Sequence, residues 1–135
     1  TTRKACEKFK HKPVSVMSFI EGTRFSQDKH DKQKSPFQYL LKPKAGGIGF
    51  VLDAMGDHLN KIVNITIYYP NKIPDFSDFI CGRVNQVRVH IEVLEIDHSL
   101  KGDYFNDRTF KINFQKRVNQ IWQEKDVTLT MLNKE

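Results

Sequence analysis

Long apolar runs are missing from this chain of 135 residues. A membrane-spanning helix needs about 20 consecutive apolar residues, and nothing here approaches that. No basic-then-apolar leader of the secretory kind is present either. Cysteine is scarce. Cys6 and Cys81 lie too far apart for a Cys-x-x-Cys site, so neither a structural zinc nor a redox pair is implied. Both cysteines are expected to be reduced and buried, as in a cytoplasmic protein. There is one tryptophan, no internal repeat and no low-complexity tract. No basic surface interleaved with stacking aromatics stands out, so nucleic acid is not an expected partner.

What is present is ordinary in amount. A hydrophobic content of 39% and a charged content of 28% suit one compact domain with a real core. The formal charge of +6 favours anionic partners, such as phosphorylated substrates or a phospholipid surface. Much of it comes from Lys8, Lys10, Lys12, Lys29, Lys32, Lys34, Lys42 and Lys44. The stretch 28–34 mixes both signs and reads as a solvated face.

The most informative segment is Val14-Ser15-Val16-Met17-Ser18-Phe19-Ile20, ending in Glu21-Gly22-Thr23-Arg24. β-Branched and aromatic residues on both faces predict a buried, parallel strand. In open α/β sheets ligands sit outside the carboxyl ends of such strands, where Glu21 and Arg24 fall. Arginine offers a planar fork that matches phosphate, and Gly22 lets backbone approach a ligand closely. The alternative is a tight turn with an Arg–Glu surface pair; the tetrapeptide alone does not decide.

Further along, the pattern predicts a helix over 1–10 stopped by Pro13, and an amphipathic helix over 46–58. Strands are predicted over 62–69 and 87–93, with a short one over 79–83 after a Pro-containing loop. In 87–93, Val87, Val89, Ile91 and Val93 alternate with Arg88, His90 and Glu92, one face dry and one wet. A last helix, capped by Asn106 or Asp107, carries Phe110, Phe114, Val118, Ile121, Trp122 and Leu129 at helical spacing, as a core stripe. Strand, helix and strand make a right-handed βαβ unit. It would bring Tyr69-Pro70 to the same rim as residues 21–24. The expected fold class is α/β, a mixed, largely parallel sheet with flanking helices.

Phe19-Ile20-Glu21-Gly22-Thr23-Arg24-Phe25, then Leu41-Lys42-Pro43-Lys44-Ala45-Gly46-Gly47, then Val63-Asn64-Ile65-Thr66-Ile67-Tyr68-Tyr69-Pro70, together resemble the glycerolipid acyltransferases, the 1-acyl-glycerol-3-phosphate acyltransferases and their relatives. Glu-Gly-Thr-Arg matches that family's third motif, and the strand ending at Pro70 takes the place of its fourth. The resemblance covers essentially the whole chain and is strongest to the bacterial YihG-type acyltransferases. It implies transfer of a fatty acyl group from acyl-CoA or acyl carrier protein to the hydroxyl of lysophosphatidic acid or a related lysophospholipid. No cofactor is implied, because the family's Asn-His-x-x-x-x-Asp motif works as a general base. Arg24 would hold the acceptor's phosphate. Glu21 would orient Arg24 or the turn and stay ionised beside the guanidinium. Gly22 and Thr23 would shape the loop, Lys44 would contact phosphate or stay solvated, and Pro70 would be structural.

One departure matters. No Asn-His-x-x-x-x-Asp precedes Glu21: His11 is the only earlier histidine, and Val16 stands where its Asp would be needed. His98 and Asp103 have the right separation but the wrong order, and read as a surface turn. The chain is therefore expected to be the C-terminal part of a longer enzyme, inactive alone. The piece would be soluble and the whole protein bound at the cytoplasmic face of the inner membrane. An exposed apolar sheet face, or a dimer that hides it, is expected with it. The alternative function is a non-catalytic basic module for anionic lipid head groups.

Overall fold

A computed structural model describes residues 15–134. Among them are four helices and two strands: α1 (Gln27–Gln33), α2 (Ala45–Met55), β1 (Lys61–Tyr68), α3 (Phe76–Ile80), β2 (Arg88–Glu95) and α4 (Arg108–Lys134). The helix predicted over 1–10 lies outside the described residues. The strands pair antiparallel, from Lys61↔Glu95 through Ile65↔Ile91 to Tyr68↔Arg88.

This corrects the expected largely parallel sheet. The sheet has two antiparallel strands, and helix dominates the described residues. The segment predicted as the first strand forms none over 15–20. Val16, Met17 and Phe19 are instead exposed. A strand needs a neighbour for its backbone groups, and β1 takes β2, the next extended segment along the chain. The βαβ unit is thus absent among the described residues, although its helix and second strand form close to where they were read. The short strand predicted over 79–83 is also replaced, by α3 and its turn. Asp75 caps α3 reciprocally with Asp78, a local signal that overrides strand propensity.

α4 organises the rest. Its 27 residues make a rod of about 40 Å, begun by Asp107, whose Oδ1 accepts from the N–H groups of Thr109 (2.8 Å) and Phe110 (3.0 Å). Phe114, Val118, Ile121, Trp122, Asp126 and Leu129 form its buried stripe, the face read from periodicity. One cluster joins Ala45, Leu52, Leu100, Tyr104, Phe114 and Val118; a second joins Phe37, Leu40, Trp122 and Leu129. Ile20 packs on both, which fixes the residue immediately before Glu21.

The irregular stretch between α1 and α2 is held through its backbone. Buried Asp126 accepts from the N–H groups of Gln38 (2.7 Å) and Tyr39 (2.8 Å), and Trp122 Nε1 donates to the Leu41 carbonyl (3.1 Å). Such bonds satisfy groups that a ladder would otherwise serve. Cys81 is free and exposed, against the expectation of a buried thiol; Cys6 lies outside the described residues.

Candidate anion-binding turn

Gly22 N–H donates to the Phe19 carbonyl at 2.9 Å, closing a turn in which Gly22 adopts φ +71°. Glycine takes that left-handed conformation without the steric penalty of a β-carbon. Lys44 N–H donates to the Ile20 carbonyl at 2.7 Å, so the residue that starts α2 is tied to the turn. Its side chain then lies across Gly22: a β-carbon there would stand 3.5 Å from Lys44 Nζ. Lys44 and the Glu-Gly-Thr-Arg turn are thus brought together, by backbone pairing and not by a sheet edge. α2 begins without a side-chain cap and with no acid in its first turn, leaving its positive end uncompensated.

Glu21 does not meet Arg24, one of the two roles expected of it. Its Oε1 accepts from Leu41 N–H at 3.2 Å. Burial pushes its carboxyl up from the usual range, opposed by the Leu41 N–H, the Trp122 indole and the charge of Lys125. No ion pair joins Glu21 to Arg24, so the guanidinium is not what sets Glu21's ionisation. Arg24 is exposed. The simple Arg–Glu surface pair is excluded by the same geometry.

Lys29 was hidden in the mixed-sign stretch. From α1 its Nζ donates to Thr23 Oγ1 (2.8 Å) and to the Arg24 carbonyl (3.1 Å). Nothing in the periodicity announces this contact; only the fold of α1 back over the turn does. His30, the histidine next to it, has Nε2 2.6 Å from the Phe37 carbonyl and Nδ1 3.3 Å from Asp31 Oδ1. The bond to Phe37 and then the one to Asp31 raise its pKa, and both ring nitrogens are engaged. It offers no free base to the turn.

Tyr69-Pro70 does not share a sheet rim with residues 21–24. Tyr68 and Ile20 do meet the same cluster around Trp122, so the two motifs approach through the core. His98 is exposed in a turn, and Asp103 Oδ1 accepts from the N–H groups of Phe105 and Asn106. A surface concavity of about 500 Å³ is lined by Asp53, Asp57, Lys101 and Phe105 among others and by no residue of the turn. Among the described residues no group of His, Cys, Asp and Glu is arranged to hold a metal, and no helix is long and apolar enough to cross a membrane.

The arrangement gathers cations around a glycine turn with its one carboxylate facing inward, which suits an anion. Comparison with known proteins points the same way: the chain is similar to lysophospholipid acyltransferases. Lysocardiolipin acyltransferase 1 of Danio rerio is 29% identical over 93 residues, covering 60% of this chain and 24% of that protein. Its namesake in Mus musculus is 27% identical over 133 residues, 88% of this chain and 33% of that one. The 2-acyl-1-lysophosphatidylinositol acyltransferase of Saccharomyces cerevisiae is 25% identical over 137 residues, with the same coverages of 88% and 33%. The chain therefore spans a quarter to a third of the length of these relatives. No protein-family model matches it, and no solved structure does.

Proposed function

We propose that this chain is the acceptor-binding portion of an acyltransferase. The whole enzyme would move a fatty acyl group from a thioester donor, acyl-CoA or acyl carrier protein, to the hydroxyl of lysophosphatidic acid or a related lysophospholipid. The observation that supports this best is the Gly22 turn with Lys44 drawn across it, beside the exposed Arg24. Phosphate is a strong acceptor of charge-assisted hydrogen bonds, and a guanidinium offers two in parallel. On this reading Arg24 grips the phosphate, Lys44 and the start of α2 neutralise it, and Gly22 leaves room for the Lys44 side chain to reach it. Thr23 supplies a hydroxyl. Glu21 anchors the turn to Leu41. Proton transfer from the acceptor hydroxyl falls to a His-Asp pair supplied by other parts of the enzyme, since His30 is already engaged.

A membrane surface is the second partner in this proposal, placing the enzyme at the cytoplasmic face of the inner membrane. Exposed Ile73, Phe76 and Ile80, beside Lys72 and Arg83, are the residues suited to meet it. The alternative, a non-catalytic basic module for anionic lipid head groups, draws on the same cations and on the engaged His30. Kinetics of the longer enzyme separate the two. Arg24→Ala should reduce kcat/KM for the acceptor by about 1.5–3 kcal/mol, the scale of a charge-assisted bond, with donor KM unchanged. Arg24→Lys should not restore it, because an ammonium lacks the planar fork. Unchanged acceptor kinetics in Arg24→Ala would reject the assignment.

A further inference from the structure

We propose that Lys29 is a third arm of the anion site, an ammonium braced by the motif itself and presented to the same phosphoryl group as Arg24 and Lys44. This rests on the acceptor-binding reading above. An ammonium has three N–H donors. Two of those on Lys29 go to Thr23 Oγ1 and the Arg24 carbonyl, which leaves the third for a ligand. The contact also orients Thr23: with its oxygen accepting from Lys29, its own hydrogen points away from the ammonium and is left to donate.

The support beneath Lys29 is firm for a surface residue. α1 ends at Lys34 in the left-handed region, where the Lys34 N–H bonds back to the helix. His30 ties the same helix to the Phe37 carbonyl and packs on Phe25, ring centroids 5.8 Å apart. Asp31 of α1 already accepts from Gln27 and faces His30. Glu21 is turned to Leu41. Asp31 and Glu21 are thus committed elsewhere, and the exposed Asp28 forms no ion pair with Lys29, so the cations around Gly22 and Thr23 keep their charge for a ligand. Lys32 on the same helix makes no such contact with the turn and serves as the control.

The test is a titration of the 135-residue chain with short-chain lysophosphatidic acid below its micellar concentration and, separately, with inorganic phosphate. Lys29→Gln, which keeps hydrogen-bond donors but loses the charge, should weaken binding about tenfold and flatten its salt dependence. Lys29→Arg should recover it to within about threefold, and Lys32→Gln should leave it unchanged. Thermal midpoints equal to wild type confirm that the turn is intact. Tighter binding of the lipid than of phosphate assigns the site to a headgroup, and equal binding assigns it to the free anion; either outcome with the Lys29 loss supports the third arm. If Arg24→Ala loses affinity while Lys29→Gln binds as wild type does, Lys29 is only a brace and the inference fails. Should the wild-type chain bind neither probe, the acceptor-binding reading fails with it.

Discussion

The two faces of the β1–β2 sheet are made of opposite material. The face toward α4 carries Asn64, Thr66, Tyr68, Arg88 and Glu92, relieved by Ile62 and Leu94; Thr66 is only 1% exposed. The other carries Val63, Ile65 and Ile67 opposite Val93, Ile91 and Val89, all 46–61% exposed. In antiparallel sheets the apolar face normally packs and the polar face is wet. Here α4 has taken the polar face and zips to it by hydrogen bonds. Lys125 Nζ donates to Asn64 Oδ1 (2.8 Å) and the Ile65 carbonyl (2.6 Å), Arg88 donates to the Leu132 carbonyl (2.6 Å), and the Tyr68 hydroxyl meets Asn133. The lesson is that the six aliphatics form a second apolar surface that none of the described residues covers. A contiguous exposed patch of that kind marks an interaction site. The occupants to be told apart are further polypeptide of a longer enzyme and a second copy of this chain.

The comparison breaks first where α4 buries apolar side chains. Phe114 is fully buried against Ala45, Leu52, Tyr104 and Val118, in the cluster that Ile62 joins from β1. Phe114→Ala should destabilise the chain by about 3–5 kcal/mol, through lost transfer energy and the cavity left behind. Urea denaturation followed by far-ultraviolet circular dichroism measures it. A loss below about 1 kcal/mol would mean that α4 does not organise the core.

A middle-sized effect comes from the polar face. Burial pulls the Lys125 ammonium down to about 8, opposed by the charges of Glu21 and Glu92. A lysine whose folded pKa lies below its unfolded one binds fewer protons in the folded state. Stability therefore rises with pH between about 8 and the ordinary 10.5, because the unfolded chain holds the extra proton in that window. Below pH 8 the folded chain carries the cost of a half-buried charge. Lys125→Met should remove this rise, and denaturation midpoints at pH 7.5 and 10 in both proteins decide it. The same rise in both would acquit Lys125.

Much of α4 and β1 was legible because their patterns are long and their partners are local. Phe114, Val118, Trp122 and Leu129 announce one face of a helix, and Asp107 its start. Residues 21–24 read as a turn, and Lys44 as a phosphate contact or a solvated side chain ahead of the next helix; nothing in the pattern placed it over Gly22. What the sequence concealed depends on distant partners. Residues 14–20 have strand composition, but a strand needs a ladder partner, and among the described residues 15–20 gains from other segments only the single bond from Lys44 N–H to the Ile20 carbonyl. Alternation in 87–93 shows which residues share a face without showing which face is covered. Glu21 reads as orienting Arg24 or the turn; the fold offers it Leu41, twenty residues on, and leaves the guanidinium open. Lys29 needed α1 to fold back before its role was visible.

The smallest effect is the sharpest test of the two faces. Ile91 is 61% exposed on the open face, opposite Ile65. Replacing it with threonine keeps the β-branched shape and removes apolar surface that already touches water. In this chain Ile91→Thr should change stability by no more than about 0.5 kcal/mol, as expected for a surface site. In the longer enzyme, where a further layer would cover the sheet, a hydroxyl placed there should cost about 1–3 kcal/mol by burying a polar group without a partner. Sedimentation of the 135-residue chain supplies the missing arm. A dimer that Ile91→Thr dissociates would show that a second copy claims the face, while a monomer insensitive to the change leaves it to the rest of the enzyme. A large loss of stability in the monomeric chain would mean that the open face is buried after all, and the contrast between the two faces would collapse.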